Sequence, residues 1–222
     1  NKQSGLVTHP GSGNWSGTLA NALLHYDPSL ESLDRAGIVH RLDKNTSGLM
    51  VVAKNQKSQK YLVEQLQSHS ISREYSAIVY GHMISGGTIS EPLGRDPQDR
   101  VKQAVLRNGR DATTHYRVIN RFKSHTHVKA ILETGRTHQI RVHLSHIGHS
   151  LVGDSIYGGK VRYPKKASED LKNELFNFRR QALHSKKLTL KHPKSGELLS
   201  WKLPLPEDML KLLEALTEFD KN

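Results

Sequence analysis

Residues 112–147 have the sequence ATTHYRVINRFKSHTHVKAILETGRTHQIRVHLSHI. Two runs rich in β-forming residues, Ala112–Phe122 and His127–Glu133, predict a pair of neighbouring strands. Thr137 then predicts the N-cap of a helix over His138–Ile147. The apolar residues of this helix form a stripe: Ile140, Leu144 and Ile147. A strand pair followed directly by a helix differs from the regular alternation of βαβ units, so the stretch favours an α+β fold.

The rest of the chain repeats this mixture of strand and helix patterns. Further helices are predicted over Leu19–His25, Gln56–Gln67 and Glu207–Phe219. Short strands are predicted over Ile38–Val39, Leu49–Ala53, Glu74–Tyr80, Thr88–Ser90, Ala182–Lys191 and Glu197–Leu203. Polar or glycine-rich loops are predicted over Thr8–Gly17, Arg95–Arg110, Val152–Gly159 and Lys160–Lys166. We therefore expect one domain over residues 1–222, with a mixed and largely antiparallel central sheet flanked by helices and loops.

Composition limits the class of function. The 222 residues include 33 Lys and Arg against 21 Asp and Glu, which gives a net charge of +12. Such an excess favours a polyanionic partner, with nucleic acid ahead of an acidic membrane surface. The chain has no cysteine, which excludes a disulfide framework, a thiol nucleophile and a cysteine-based zinc site. No apolar run is long enough to span a bilayer and no signal peptide is evident, so we expect a soluble, cytoplasmic protein.

The segment His40–Gly48 (HRLDKNTSG) is the first candidate for chemistry. It places Asp43 between the cations Arg41 and Lys44, close to His40, on a turn between two apolar runs. Nearby positive charges keep a carboxylate ionised and ready to act as a nucleophile or base. A solvated turn in which Asp43 caps its own backbone explains the same residues, and this alternative stays open on spacing alone.

The segment Glu133–His143 (ETGRTHQIRVH) is the second candidate. Arg136 precedes the predicted helix, and Arg141 lies at the margin of its apolar stripe, where a guanidinium can reach inward as a fixed counter-ion. An arginine on the solvent side of the helix is the alternative. The histidines between His138 and His149 lack the spacing of a helical zinc site, and no phosphate-binding glycine loop or serine elbow occurs.

Taken in order, several motifs resemble the RluA/RluD family of RNA pseudouridine synthases over nearly the whole chain. They are HRLDKNTSGLMVVAK (40–54), REY (73–75), ETGRTHQIRVH (133–143) and LVGDSIYGG (151–159). Segments 35–39 (RAGIV), 81–92 (GHMISGGTISEP) and 181–184 (QALH) resemble the branch that acts on the large ribosomal subunit. The resemblance implies a pseudouridine synthase fold with a basic cleft. It also implies isomerisation of uridine to pseudouridine in large-subunit (23S) rRNA, with the helix 69 stem-loop as the expected target.

The resemblance also implies roles for individual residues, without a metal or cofactor. Asp43 would be the catalytic carboxylate, and Arg41 would fill the stack that the flipped base leaves. Tyr75 would stack on the base and remove the C5 proton, since a hydroxyl can exchange a proton. Arg141 would pair with the catalytic Asp. The remaining expected substrate contacts are Leu144 in the base pocket, His40 and Arg136. Whether Asp43 bonds to the sugar or acts as a base through a glycal-like intermediate is left open.

The remaining expectations concern the extent of the protein, its partner and the competing functions. Relatives carry a small S4-like RNA-binding domain and a complete first strand ahead of this segment, so we expect a catalytic-domain fragment. The expected partner is rRNA, free or in an assembling 50S particle, with no membrane and a monomeric state. Modification of another rRNA or tRNA site, a non-catalytic RNA-binding module for ribosome assembly and a histidine metal-dependent hydrolase are the competing functions.

Overall fold

The computed structural model describes residues 1–11 and 13–221 and divides them into two compact units. The first comprises Asn1–Arg73 with Ser185–Leu203, and the second comprises Glu74–His184 with the residues from Pro204 onward. Both contain helices and strands, which confirms the α+β class. The expected single catalytic domain over the whole chain stays a prediction, and Ser12 of the predicted Thr8–Gly17 loop lies outside the described residues.

The first unit surrounds a small apolar core with two helices and short strands. Its elements are α1 (Leu19–Tyr26), β1 (Ser47–Gly48), α2 (Gln56–Gln67), most of β8 (Leu183–Lys191), and β9 (Leu198–Lys202). Strand β8 pairs with β1 and with β9, and β8 and β9 are antiparallel. The core residues include Ala53, Leu62, Ile71, Leu188 and Leu190.

Side-chain caps define where the two helices of this unit begin. Thr18 accepts the N–H of Asn21 at the start of α1, and Asn55 accepts the N–H of Ser58 at the start of α2. These bonds satisfy N–H groups that the first turn of a helix leaves without a partner. Both helices match the sequence prediction, with one extra residue at the end of α1.

The second unit is built on antiparallel strands covered by three helices. Its elements are most of β2 (Ser72–Tyr80), β3 (Gly87–Ser90), β4 (Leu93–Arg95), β5 (Gln103–Val105), β6 (Thr113–Arg121), β7 (His125–Leu132), α3 (Gln139–His146), α4 (Glu169–Asn177) and α5 (Glu207–Lys221). The strand order is β2-β7-β6-β3, and the pairs β6–β7 and β3–β6 are antiparallel. The strand pair predicted from residues 112–133 is therefore confirmed.

The helices α4 and α5 cover the core of this unit. Their buried residues are Leu171, Leu175, Met209, Leu212 and Leu216, which pack with Ile78 and Val152. Helix α4 was not predicted from the sequence. Its signals are Ser168, which caps the N–H of Leu171, and two acidic residues in the first turn, where they complement the helix dipole.

Three local predictions are wrong. Arg95–Arg110 was expected to be an irregular loop, but it contains β5, which pairs with β4 as a separate two-stranded hairpin. The residue before α3 is His138 and not Thr137; His138 has a left-handed backbone (φ 58°) and no side-chain cap. Leu49–Ala53 and Ile38–Val39 form only an isolated bridge between Ile38 and Val52 instead of two strands.

Candidate active site

The turn that carries Asp43 is closed by a backbone hydrogen bond. The N–H of Thr46 donates to the carbonyl of Asp43 at 3.0 Å. Leu42 and Thr46 are buried, whereas Asp43 between them is partly exposed. Gly48 ends the turn with φ 113°, and a Cβ there would lie 2.3 Å from the carbonyl oxygen of Ser185. A glycine is required at this position because β8 passes so close to its backbone.

The first eight residues of the chain hold this turn from one side. The Thr8 hydroxyl donates to the carbonyl of Leu42 at 2.8 Å, and the N–H of Gly5 donates to the carbonyl of Lys44 at 2.9 Å. Lys2 and Gly48 exchange two backbone hydrogen bonds of 2.7 and 2.9 Å. The Asp43 turn is therefore fixed by bonds to main-chain carbonyls at several positions.

Lys2 adds a buried ammonium group to this support. The residue is 4% exposed, and its Nζ donates to the carbonyls of Gln3, Leu6 and Lys44 at 2.8 to 2.9 Å. Hydrogen bonds from a charged donor are stronger than neutral ones, so the ammonium binds the N-terminal segment firmly to the turn. Sequence analysis did not single out Lys2.

His40 and Arg41 precede the catalytic candidate and have different environments. The N–H of Val51 donates to His40 Nε2 at 3.0 Å, so His40 fastens the chain after the turn to the chain before it. Burial, assisted by the positive charge of Arg73, lowers the pKa of His40 to about 4. His40 is therefore neutral at pH 7 and adds no positive charge beside Asp43. Arg41 is exposed.

Arg141 lies on α3 and has a buried carboxylate partner. Its Nε and Nη2 donate to the two oxygens of Asp154 at 2.7 and 2.9 Å. The Arg141 side chain is 4% exposed and that of Asp154 is 0% exposed. Such a two-point contact fixes both the position and the plane of the guanidinium. The expected pairing of Arg141 with Asp43 stays a prediction.

Asp154 is a functional candidate that sequence analysis missed. Burial raises the pKa of its carboxyl, but the hydrogen bonds and charge of Arg141, with the N–H groups of Tyr157 and Ile156, together hold that pKa below its ordinary value. The carboxylate is therefore ionised at neutral pH. The available signal was its motif, LVGDSIYGG, in which a single acid follows an apolar pair and a glycine.

Helix α3 is buried over most of its circumference. Its first six residues, Gln139 to Leu144, are all buried, so the predicted apolar stripe is only part of the buried surface. Leu144 is 0% exposed. His143 Nε2 donates to the carbonyl of Glu91, while its Nδ1 lies 2.9 Å from the Thr114 hydroxyl. His143 is thus a bonded core residue, and burial lowers its pKa.

The remaining candidates of this unit have distinct environments. Tyr75 is 5% exposed in β2. Arg136 is exposed, and its Nε donates to the carbonyl of Asp111 at 3.0 Å. Its backbone N–H donates to the side chain of Gln139, which replaces Thr137 as the residue that organises the start of α3. Among the described residues, no three His, Asp or Glu side chains form a group that could hold a metal ion.

The structure thus gathers the candidates into two sets. His40, Arg41 and Asp43 share the turn of the first unit, and Arg136, Arg141 and Leu144 lie on or just before α3 of the second. Basic side chains are exposed on the second unit at Arg95, Arg100, Arg107, Arg110, Lys160, Arg162, Lys165 and Lys166. Within the described ranges, no helix is long and apolar enough to cross a membrane.

Comparison with solved structures places this fold among the pseudouridylate synthases. The human protein RNA Pseudouridylate Synthase Domain Containing 4 superposes with a TM-score of 0.73 at 26% identity, over 97% of this chain and 88% of that one. Human RNA Pseudouridylate Synthase Domain Containing 1 has the same fold, with a TM-score of 0.68 at 24% identity over 98% and 89% of the two chains.

Sequence comparison defines the family. The model of the RNA pseudouridylate synthase family matches residues 1–146. The Ribosomal large subunit pseudouridine synthase D of Escherichia coli (strain K12) is 54% identical over 216 residues, which cover 97% of this chain and 66% of the relative. The protein of that name from Pseudomonas aeruginosa is 55% identical over 217 residues, or 98% and 68% of the two chains. The chain belongs to the RNA pseudouridylate synthase family and spans about two thirds of the length of these relatives.

Proposed function

We propose that this protein isomerises specific uridines to pseudouridine in large-subunit ribosomal RNA, with Asp43 as the catalytic carboxylate. The observation that carries this is the geometry of the Asp43 turn. Asp43 is partly exposed and lies two residues after the exposed Arg41, on a turn fixed by hydrogen bonds to Lys2, Gly5 and Thr8. Rigid support of this kind is what a reacting group needs for a defined approach to its substrate. The names of the similar proteins supply the substrate class.

The reaction conserves all atoms of the uridine. The bond from C1′ to N1 breaks, the uracil rotates, and C1′ bonds to C5. The proton on C5 is lost and N1 ends protonated, so no external oxidant, reductant or group donor enters the balance. Asp43 acts at the ribose, either as a nucleophile at C1′ or as a base on the route through a glycal.

Base flipping sets the roles of the surrounding residues. The enzyme must take the uridine out of the RNA stack before the ribose and the base are accessible. Arg41 is exposed beside Asp43, and its planar guanidinium suits the gap left in the stack. We assign base stacking and removal of the C5 proton to Tyr75, charge support of the carboxylate to Arg141, and the apolar wall of the base pocket to Leu144. His40 and Arg136 are the remaining substrate-binding residues, and each either contacts an RNA phosphate or positions the loop that contacts the RNA.

The finer target is the helix 69 stem-loop of 23S rRNA, in free rRNA or in an assembling 50S particle. The support for this is the identity to the synthases D. We propose that the protein acts as a monomer in the cytoplasm. Mapping the pseudouridines formed in unmodified rRNA tests the target, and modification only at another rRNA site or in tRNA would refute it.

Release of tritium from unmodified rRNA labelled with [5-³H]uridine tests the reaction itself. Bond formation at C5 expels the label, so the protein should release tritium and Asp43→Asn should not. Asp34→Asn is the matched control, because Asp34 is strongly exposed in the same unit. Equal release by the protein and by Asp43→Asn, or no release by either, would refute the proposed reaction. Binding without release by the unmodified protein would favour the RNA-binding module instead.

A further inference from the structure

Tyr157 connects two parts of the second unit, the basic β4–β5 hairpin and the start of the helix α3 that carries Arg141. It lies three residues after Asp154, and its N–H donates to Asp154 Oδ1 at 3.1 Å. The N–H of Gly158 donates to the carbonyl of Asp154 at 2.8 Å and closes the same turn. The backbone of Tyr157 is therefore fixed to the carboxylate that holds Arg141.

The ring of Tyr157 contacts Arg141 directly. The centre of the guanidinium lies 5.0 Å from the ring centroid, within the range of a cation–π contact. Asp154 binds the donors of the guanidinium and Tyr157 lies against it, so the group is restrained by both. The ring also packs with an apolar cluster that contains Val142 of α3 and Val105 of β5.

The hydroxyl of Tyr157 binds the basic hairpin formed by β4 and β5. The N–H of Gln103 in β5 donates to this oxygen at 2.8 Å. Gln103 lies opposite Arg95 in the hairpin, and Arg95 and the nearby Arg100 are exposed. A two-stranded hairpin is only marginally stable without further packing, so its position depends on such contacts.

The same hydroxyl lies 2.8 Å from Nδ1 of His138, the residue before α3. His138 has a left-handed backbone, with φ 58° and ψ 15°. A non-glycine residue keeps this strained conformation only when its surroundings enforce it. The bond to Tyr157 and the edge contact of the two rings supply that restraint, three residues before Arg141.

We propose that Tyr157 is a positioning residue that fixes the basic β4–β5 hairpin to the start of the helix that carries Arg141. A single side chain then fixes the hairpin, to which the RNA phosphates bind, relative to the guanidinium of Arg141. The inference rests on the proposed function for its consequence in catalysis, but the positioning itself is a property of the free protein.

The variant Tyr157→Phe separates the hydroxyl from the ring. Phenylalanine keeps the contact with Arg141 and the packing in the apolar cluster of Val142, but it removes the partner of the Gln103 N–H and the bond to His138. We expect the Gln103 amide to exchange its hydrogen faster than in the unmodified protein. We expect KM for rRNA to rise about three- to tenfold because the hydroxyl no longer fixes the hairpin. We expect kcat to change less than twofold, since Asp154 and the aromatic ring still hold Arg141.

Two further variants make the experiment specific. Gln103→Pro removes the N–H donor and leaves the hydroxyl with its bond to His138, so adding it to Tyr157→Phe should raise KM no further than Tyr157→Phe alone. The exposed Tyr26 provides the matched control, because Tyr26→Phe removes a hydroxyl elsewhere on the chain and should alter neither exchange at Gln103 nor KM.

The two readouts distinguish this inference from the proposed function. Hydrogen exchange at Gln103 needs no RNA, so unchanged exchange in Tyr157→Phe would overturn the inference whatever the activity. A fall in kcat with KM unchanged would also overturn it, because the binding of rRNA by the hairpin would then not depend on the hydroxyl. Absence of tritium release by the unmodified protein would refute the proposed function alone.

Discussion

Replacing Asp154 by asparagine takes from the buried guanidinium of Arg141 a carboxylate that accepts two of its hydrogen bonds. The amide oxygen of Asn can still accept the N–H groups of Ile156 and Tyr157, which donate to Asp154 at 3.0 and 3.1 Å. The amide NH₂, however, presents a donor where Arg141 donates. Because the Arg141 side chain is only 4% exposed, water cannot replace the lost partner. Removing one member of a buried pair costs about 3 to 5 kcal/mol.

Urea unfolding at pH 7 measures this cost. The free energy of unfolding of a native protein is about 5 to 15 kcal/mol. We therefore expect Asp154→Asn to fold but to lose a large part of this free energy. The melting temperature should fall by roughly 6 to 20 °C for a chain of this size. Replacing both partners, as Arg141→Met with Asp154→Leu, should cost less than the single change because the guanidinium and the Asp154 carboxylate are removed together. A loss below about 1 kcal/mol in Asp154→Asn, typical of an exposed pair, would refute this reasoning.

The pH dependence gives an independent check on the same pair. The folded-state pKa of Asp154 lies below its ordinary value of 3.8, so the unfolded chain binds its proton first as the pH falls. The stabilisation is therefore fully present above the unfolded pKa and is lost as the pH falls through the folded pKa. The difference between the protein and Asp154→Asn should stay constant from pH 7 to 5 and shrink only below about pH 4. A difference that disappears by pH 6 would contradict the assignment.

Two more changes test the first unit. Lys2→Met removes the ammonium from three carbonyls and so loosens the Asp43 turn, without altering the exposed basic side chains. We expect kcat to fall at least tenfold with rRNA binding retained. An unchanged kcat would show that the turn does not need this support. Arg41→Ala should lower turnover on structured rRNA more than binding in a filter assay, and an equal loss of both would make Arg41 a phosphate contact only.

Sequence patterns predicted the elements whose signals are local. The helix over Gln56–Gln67 needs only its Asn55 cap and its amphipathic spacing, and both are visible in the sequence. Strands β6 and β7 were predicted because they are long and rich in β-forming residues. The α+β class followed from the order of such elements, and the family motifs then marked Asp43, Tyr75 and Arg141.

The errors occur where contacts distant in sequence decide the local structure. The strand β5 is only three residues long and depends on β4 and on the hydroxyl of Tyr157, more than fifty positions away. The start of α3 follows from Gln139 and from the strained backbone of His138, so the good capping residue Thr137 was misleading. Lys2 resembles any exposed lysine in the sequence, since its burial depends on the turn that ends at Gly48. None of these contacts has a fixed spacing.

The burial of cations such as Lys2 and Arg141 changes the meaning of the net charge of +12. Lys2 is 4% exposed and bound to carbonyls, and Arg141 is neutralised by a carboxylate within hydrogen-bond distance. Neither projects its charge towards a polyanion in solution. The long-range attraction for RNA therefore comes from the exposed cations, such as those of the β4–β5 hairpin and of residues 160–166. Salt screens the attraction between these exposed charges and the RNA. The buried cations instead use their charge at short range, to fix the Asp43 turn and the helix that carries Arg141. A basic composition thus combines two separate physical roles, and only burial distinguishes them.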